Sequence, residues 1–503
     1  VARAPFTLAF PEDDGRPVFV RISAGFVEAI RRGRLDAGSA LPSSRALAHA
    51  LEVHRNTVLA AYAELQSQGW VTTAAGKGTF VSAKLPEVPL KRGASHRARM
   101  PEHPGYSLAP ALPAPSVGPP LPRGSLSLAG GVPDLRLVPS QELSRAYRRA
   151  ITGSDHSVLD YGNERGHPRL RGALATFLDA ARGVTASAED VLITRGSQMG
   201  FYLAARAIVR PGDVVAVEAL GYAPAWAAFR AAGAEVVPVS VDAHGLVIDE
   251  LRELVKRRPI AALYITPHHQ YPTLAVLSAD RRLALLELAR THRFAVVEDD
   301  YDNEIHYHGR PVLPLASADA AGVVVYVGSL SKVLAPGLRV GYVVAPSALI
   351  RRMAELRRSI DRQGDPAIER AIAELLEEDV VQRHTRKMRR IYQGRREALM
   401  NELKRRFGAA LTFDVPAGGL ALWAHVAPDV SIDVEEWQAS ASREGVYFRP
   451  PRDFAFDGRS RPSVRLAFAQ LTEDELGTAV KRLHAAFAAT RSTAPVRSTS
   501  RSG

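Results

Sequence analysis

Cysteine is absent from all 503 residues, which excludes disulfides, a thiolate nucleophile and cysteine-ligated zinc. That absence fits a reducing compartment, and a cytoplasmic location is the expectation. No stretch approaches the roughly 18 unbroken apolar residues of a membrane span. Val1-Ala2-Arg3-Ala4-Pro5 meets Glu12-Asp13-Asp14 before any long apolar run, so neither a membrane partner nor a secretory signal is expected. Acidic residues are the scarcer charge, 53 against 65 Lys and Arg, for a net of +12. Half of that excess lies in residues 1–100, where 14 Lys and Arg face 8 Asp and Glu. A basic excess alone is a weak nucleic-acid signal, because solvated basic faces are common, and it gains weight only beside a reading element.

What is present is a soluble composition, 46% hydrophobic, long enough for about three domains. Residues 1–84 read as a helical head with a Gly-punctuated end. Residues 85–125 are rich in Pro, Ala, Gly and basic side chains, as in Gly118-Pro119-Pro120-Leu121-Pro122-Arg123, and read as an extended linker that cannot build a core. Residues 126–490 alternate apolar strands with amphipathic helices, and 491–503 read as a disordered tail. Strand candidates at 214–217, 261–265, 294–297 and 323–327 are near-continuous apolar runs separated by helical patterns, which predicts a mostly parallel sheet buried on both faces. Ligands in such sheets bind beyond the carboxyl ends of the strands. Ser197, Asp299 and Ser329 each fall just past a strand candidate, so one pocket can collect them.

In the head, Phe19, Ile22, Phe26 and Ile30 share one helical face. Ser43 and Ser44 offer an N-cap to a second helix. A third opens at Arg55-Asn56-Thr57, with Val58, Tyr62 and Leu65 facing inward, and ends at Gly69. Trp70-Val71-Thr72 and Gly78-Thr79-Phe80-Val81 form a hairpin whose tip carries Lys77. Three helices and a β-wing make a winged helix-turn-helix, whose third helix enters the major groove with Arg55 on phosphate or guanine and Asn56 and Thr57 near base edges. The segment resembles the GntR-type winged helix through Leu41-Pro42-Ser43-Ser44-Arg45-Ala46-Leu47-Ala48, Arg55-Asn56-Thr57-Val58 and Gly76-Lys77-Gly78-Thr79-Phe80-Val81. The resemblance implies a double-stranded DNA partner touched by Ser44, Arg45, Arg55, Asn56, Thr57, Lys77, Gly78 and Thr79. Where that family carries serine before the arginine, this chain has His54, so weakened capping of the third helix is expected.

Gly328-Ser329-Leu330-Ser331-Lys332, followed by Arg339, sets a lysine among hydroxyls with an arginine nearby. An amine that forms a Schiff base with an aldehyde, beside groups that hold a phosphate, is what pyridoxal 5'-phosphate needs. From Gly130-Gly131-Val132-Pro133-Asp134 onward the chain resembles a fold-type I aminotransferase: an α/β architecture with a mostly parallel seven-stranded large domain and a small α+β domain. The resemblance implies a catalytic Lys332 and cofactor contacts from Ser197, Gln198, Tyr222, Asp299, Tyr301, Ser329 and Arg339. In it Asp299 pairs with the pyridinium nitrogen, Tyr301 reaches the ring oxygen, and Tyr222 stacks on the ring. Tyr161 reaches the partner subunit's phosphate, which implies a homodimer, and Arg465 grips an α-carboxylate. No metal ligand set is read. One departure stands out: the family's Asn-Pro-Thr-Gly turn is Tyr271-Pro272-Thr273-Leu274, so His269 or Gln270 is left to take over the asparagine's bond to the ring oxygen.

A winged helix joined by a Pro-rich linker to an aminotransferase-like domain resembles MocR-type (GabR-like) regulators of the GntR family. That layout implies a transcription regulator that senses an amino acid, an amine or pyridoxal phosphate itself through an internal aldimine on Lys332. The alternative is a functional aminotransferase acting on an amino acid. With Tyr271 at the asparagine place, at most partial or slow transamination is expected.

Overall fold

The computed structural model describes Leu8 and residues 15–86, 102–108 and 121–493, except 308 and 310. Most of the expected linker and residues 494–503 of the expected tail lie outside the described residues. The chain divides into two compact units, residues 1–109 and 110–503.

In the first unit, α1 (Val18–Arg31), α2 (Ser44–Ala50) and α3 (Arg55–Ser67) precede an antiparallel hairpin of β1 (Val71–Ala74) and β2 (Gly78–Val81). Ile22, Phe26 and Ile30 are buried as their spacing predicts and meet Val58, Tyr62, Leu65 and Trp70. Phe26 packs edge-on against Tyr62 at 5.7 Å, and the Tyr62 hydroxyl donates to the Pro42 carbonyl at 2.7 Å. Ser43 caps α2 by accepting from the Ala46 N–H at 3.2 Å. His54 also caps: its Nδ1 accepts from the Asn56 N–H at 3.2 Å, so the expected weakening of α3 is corrected. A neutral imidazole nitrogen supplies the acceptor lone pair that a serine hydroxyl otherwise gives.

The second unit is built on a seven-stranded sheet. Its strands are β3 (Val191–Thr194), β4 (Val214–Glu218), β5 (Glu235–Val239), β6 (Ala262–Ile265), β7 (Ala295–Asp300), β8 (Val324–Ser329) and β9 (Gly341–Val344). They lie side by side as β3-β9-β8-β7-β6-β4-β5, and only β9 runs antiparallel to its neighbours. Both faces are covered. Ala216, Leu263, Val296 and Tyr326 enter one apolar cluster, and Val215, Tyr264, Val297 and Val325 the other. Burial on both faces explains why these strands read as unbroken apolar runs rather than alternating ones. A 28-residue helix, Val380–Phe407, leads to an antiparallel three-stranded sheet of Leu411–Phe413, Ala421–Val426 and Ser463–Ala467, with a core of its own around Trp437. Among the described residues, no helix is long and apolar enough to cross a membrane.

Candidate functional site

Strand ends of the large sheet and loops leading to and from the small one enclose a cavity of about 650 Å³. Ser197, Gln198, Tyr222, Asp299, Tyr301, Ser329, Lys332, Arg339 and Arg465 all line it. Asp299 and Ser329 belong to the last residues of β7 and β8 rather than lying past them, because both strands run further than the apolar pattern suggests.

At one end, the helix Ser197–Ile208 begins after Gly196, which holds a left-handed φ of +79° and offers no side-chain cap. Its first N–H groups therefore face the cavity as an anion-binding terminus. Gly196 also makes room: a Cβ there would stand 2.8 Å from Nη2 of Arg339, which donates to the Arg195 carbonyl at 2.9 Å. A Cβ on Gly341 would stand 2.7 Å from the Gly196 carbonyl carbon, so two glycines let strand, turn and arginine converge. Ser329 Oγ accepts from the Ser331 N–H at 3.1 Å. The Gln198 amide donates to the Pro224 carbonyl at 2.8 Å, so its side chain is turned toward that loop and its backbone N–H remains for an anion.

Asp299 is buried at the other side. Tyr264 donates to its Oδ2 at 2.6 Å, and Oδ1 has no partner among the described residues. Burial pushes the Asp299 carboxyl up to about 7, partly offset by that hydrogen bond and by Lys332. Lys332 moves the other way: burial, with the Arg465 charge adding to it, lowers its ammonium to about 8. The Tyr301 hydroxyl donates to the His269 carbonyl at 2.9 Å, so it offers the cavity lone pairs rather than its proton. Tyr222 stands edge-on to Tyr271 at 5.7 Å, and burial raises its phenol to about 12.

Arg465 is 1% exposed, with no acidic partner among the described residues. Its Nε and Nη1 make no hydrogen bond, and its guanidinium lies 4.8 Å from the centroid of the Tyr271 ring. A buried cation in that state calls for an anion.

The orphan carboxylate oxygen, the amine and the open helix terminus beside Arg339 fit a ring nitrogen, an aldehyde and a phosphate. The residues thus match pyridoxal phosphate. The substitute bond proposed for the Asn-Pro-Thr-Gly departure does not materialise. Gln270 spends its amide on Leu220, Tyr271 and Thr273, His269 pairs with Asp302 at 2.8 Å, and neither lines the cavity. Tyr271 fills that place with an aromatic ring, and Leu274 adopts the left-handed φ of +64° that a glycine would hold without strain. Tyr161 lies away from the cavity, 74% exposed, with the Arg362 guanidinium 4.1 Å above its ring. Sequence reasoning missed Arg449, Tyr264 and the lining role of Tyr271; nothing in Phe448-Arg449-Pro450 separates that arginine from many others.

In the head, Arg45, Arg55, Asn56, Lys77 and Gly78 are exposed, while Ser44, Thr57 and Thr79 are half-buried. Arg55 Nε donates to Ser44 Oγ at 3.2 Å, and the Leu41 N–H donates to the Thr79 carbonyl at 2.8 Å. Those bonds tie the start of α3 and the wing to the start of α2.

Residues 126–483 match the model of aminotransferase class I and II, and residues 20–81 that of bacterial regulatory proteins of the gntR family. The chain is 30% identical over 466 residues to the probable rhizopine catabolism regulatory protein MocR of Rhizobium meliloti, covering 92% of each. It is 32% identical to the transcriptional regulator TauR of Rhodobacter capsulatus, covering 92% of this chain and 95% of that one. Among solved structures, the α-aminoadipate aminotransferase LysN of Thermus thermophilus, complexed with N-(5'-phosphopyridoxyl)-L-leucine, superimposes with a TM-score of 0.69 at 28% identity, covering 74% of this chain and 94% of that one.

Proposed function

The chain belongs to the MocR-type regulators of the gntR family, with a C-terminal unit of aminotransferase class I and II, and from that premise we propose that it senses an amino acid or amine at the Lys332 cavity and answers by changing how its head holds DNA. The observation that carries this reading is Arg465, a buried cation with unused donors in the same cavity as an amine of lowered basicity. When bound, pyridoxal phosphate supplies an aldehyde for amines to condense with and an electron-withdrawing ring. Asp299 would hold the ring nitrogen, Tyr222 the ring face, and Ser197, Ser329 and Arg339, with the N–H groups of Ser197 and Gln198, the phosphate. Arg465 would take the effector's carboxylate through two parallel hydrogen bonds. Lys332, half-buried, would be the residue that the incoming amine displaces.

The test is operator binding by the pyridoxal phosphate-loaded protein, titrated with amino acids, amines and the free cofactor. An operator affinity that none of them changes would remove the sensor. The second reading, a working aminotransferase, is favoured by the intact trio of Lys332, Asp299 and Arg465, and sustained conversion of an amino acid to its keto acid would establish it.

Two further proposals concern partners. Tyr161 and Leu159, two residues apart, are 74% and 66% exposed, and exposed apolar side chains of this size suit burial against a second copy of the chain. In the head, Arg55 and Lys77 would meet DNA. Arg55→Ala then weakens operator binding by about 1–3 kcal/mol, and Lys77→Ala lowers the slope of log K against log salt by about one. Band-shift titrations at several salt concentrations measure both, and unchanged values would place the reading surface elsewhere.

The Lys332 amine also predicts a pH profile. Since only the neutral amine attacks an aldehyde, covalent capture of pyridoxal phosphate by the cofactor-free protein accelerates about tenfold per pH unit below about 8 and levels off above it. Stopped-flow absorbance follows the capture. A profile still rising steeply near pH 10 would mean that the lysine titrates as if in water.

A further inference from the structure

The cavity holds more positive charge than the groups assigned to it use. Four cationic side chains line it, Lys332, Arg339, Arg449 and Arg465, against the single carboxylate of Asp299. On the reading above, Arg339 meets a phosphate, Arg465 an α-carboxylate, and Lys332 the aldehyde. Arg449 is left over.

Its own neighbours do not use it fully. Its acidic contact is Asp453, whose Oδ2 stands 3.5 Å from one Nη, well beyond the roughly 2.7–2.9 Å of a strong charge-assisted hydrogen bond. The Arg449 guanidinium lies 5.8 Å from the centroid of Phe454. Phe454 in turn packs edge-on at 5.6 Å against Tyr271, the ring that carries Arg465 at 4.8 Å. Two adjacent aromatic rings thus link the two guanidiniums, and both arginines line the same cavity.

We propose that Arg449 binds a second anionic group on the effector, so that the ligand read here is an amino acid with an acidic side chain. The inference rests on the reading that Arg465 takes the α-carboxylate. A neutral side chain at Arg449 would leave a half-buried guanidinium with only its long contact to Asp453, and sites of this kind discriminate against the analogue that lacks the charge.

The experiment titrates the pyridoxal phosphate-loaded protein with L-aspartate, L-asparagine, L-glutamate and L-glutamine, following cofactor absorbance. At least one acid binds about tenfold or more tightly than its own amide. Arg449→Gln brings that preference to about twofold or less without changing the affinity for the amide or for pyridoxal phosphate, and Arg449→Lys restores part of it. Equal binding of acid and amide by the native protein overturns the proposal, and so does a preference that survives Arg449→Gln. A parallel loss of cofactor affinity also overturns it, by placing Arg449 on the phosphate. If no amino acid shifts the spectrum, or Arg465→Met weakens none of them, the failure lies with the underlying Arg465 reading and the proposal falls with it.

Discussion

The Lys332→Ala protein, supplied with pyridoxal phosphate, develops none of the absorbance of a lysine-linked cofactor, and its operator affinity stops responding to amino acids. Lys332 is the one amine among the described residues lining the cavity. Phosphate and ring contacts remain, so the cofactor still binds, but nothing is left for an incoming amine to displace. The head keeps its DNA affinity, because its core around Ile22, Phe26, Val58 and Leu65 is built from its own helices and wing. A ligand-driven change in operator affinity, which can amount to a few kcal/mol, therefore falls to zero while basal binding stays. Spectra and operator titrations on the same preparation check both halves. An amino-acid response that survives would mean that sensing occurs without the lysine.

Arg465→Met raises the stability of the ligand-free protein and weakens amino-acid binding. This guanidinium is buried, with two nitrogens unpaired among the described residues, and burying unpaired donors destabilises the fold. An unbranched apolar chain of similar length removes that penalty, and stability rises by about 1–4 kcal/mol, the range for buried ionic groups replaced by apolar side chains of similar volume. The carboxylate of an effector then loses its partner, and affinity drops by about 2–5 kcal/mol. Calorimetric melting of both proteins at equal cofactor loading, with amino-acid titrations, measures the two effects. A melting temperature that falls would show that Arg465 holds the fold rather than the ligand. Opposed signs of this kind are expected where function keeps an unfavourable charge in place.

Much of this was legible in the chain because each signal is local. Ser43 before an apolar face predicts a capped helix, and the unbroken apolar run Val323-Val324-Val325-Tyr326-Val327 predicts a strand buried on both sides. Ser329, Ser331, Lys332 and Arg339 occur within a dozen residues, so one loop delivers them together. His54 misled because capping was read from residue type, whereas any side-chain acceptor at the right φ and ψ can serve. The relief expected from His269 and Gln270 failed for a related reason: their hydrogen bonds are claimed by Asp302 and by the turn itself, which no spacing reveals.

Residue order alone therefore decided the three helices and the wing of the head and the buried strands of the large sheet, since periodicity, caps and motif composition act over a few residues. Only the tertiary structure decided which groups meet. Arg465 and Arg449 come from segments more than 100 residues beyond Lys332, and Tyr264 reaches Asp299 only because β6 and β7 pair in register. Burial, too, is a property of the packed whole. It raises Asp299, lowers Lys332 and leaves two nitrogens of the Arg465 guanidinium without a hydrogen-bond partner among the described residues, because desolvation depends on every neighbour that excludes water rather than on the residue itself.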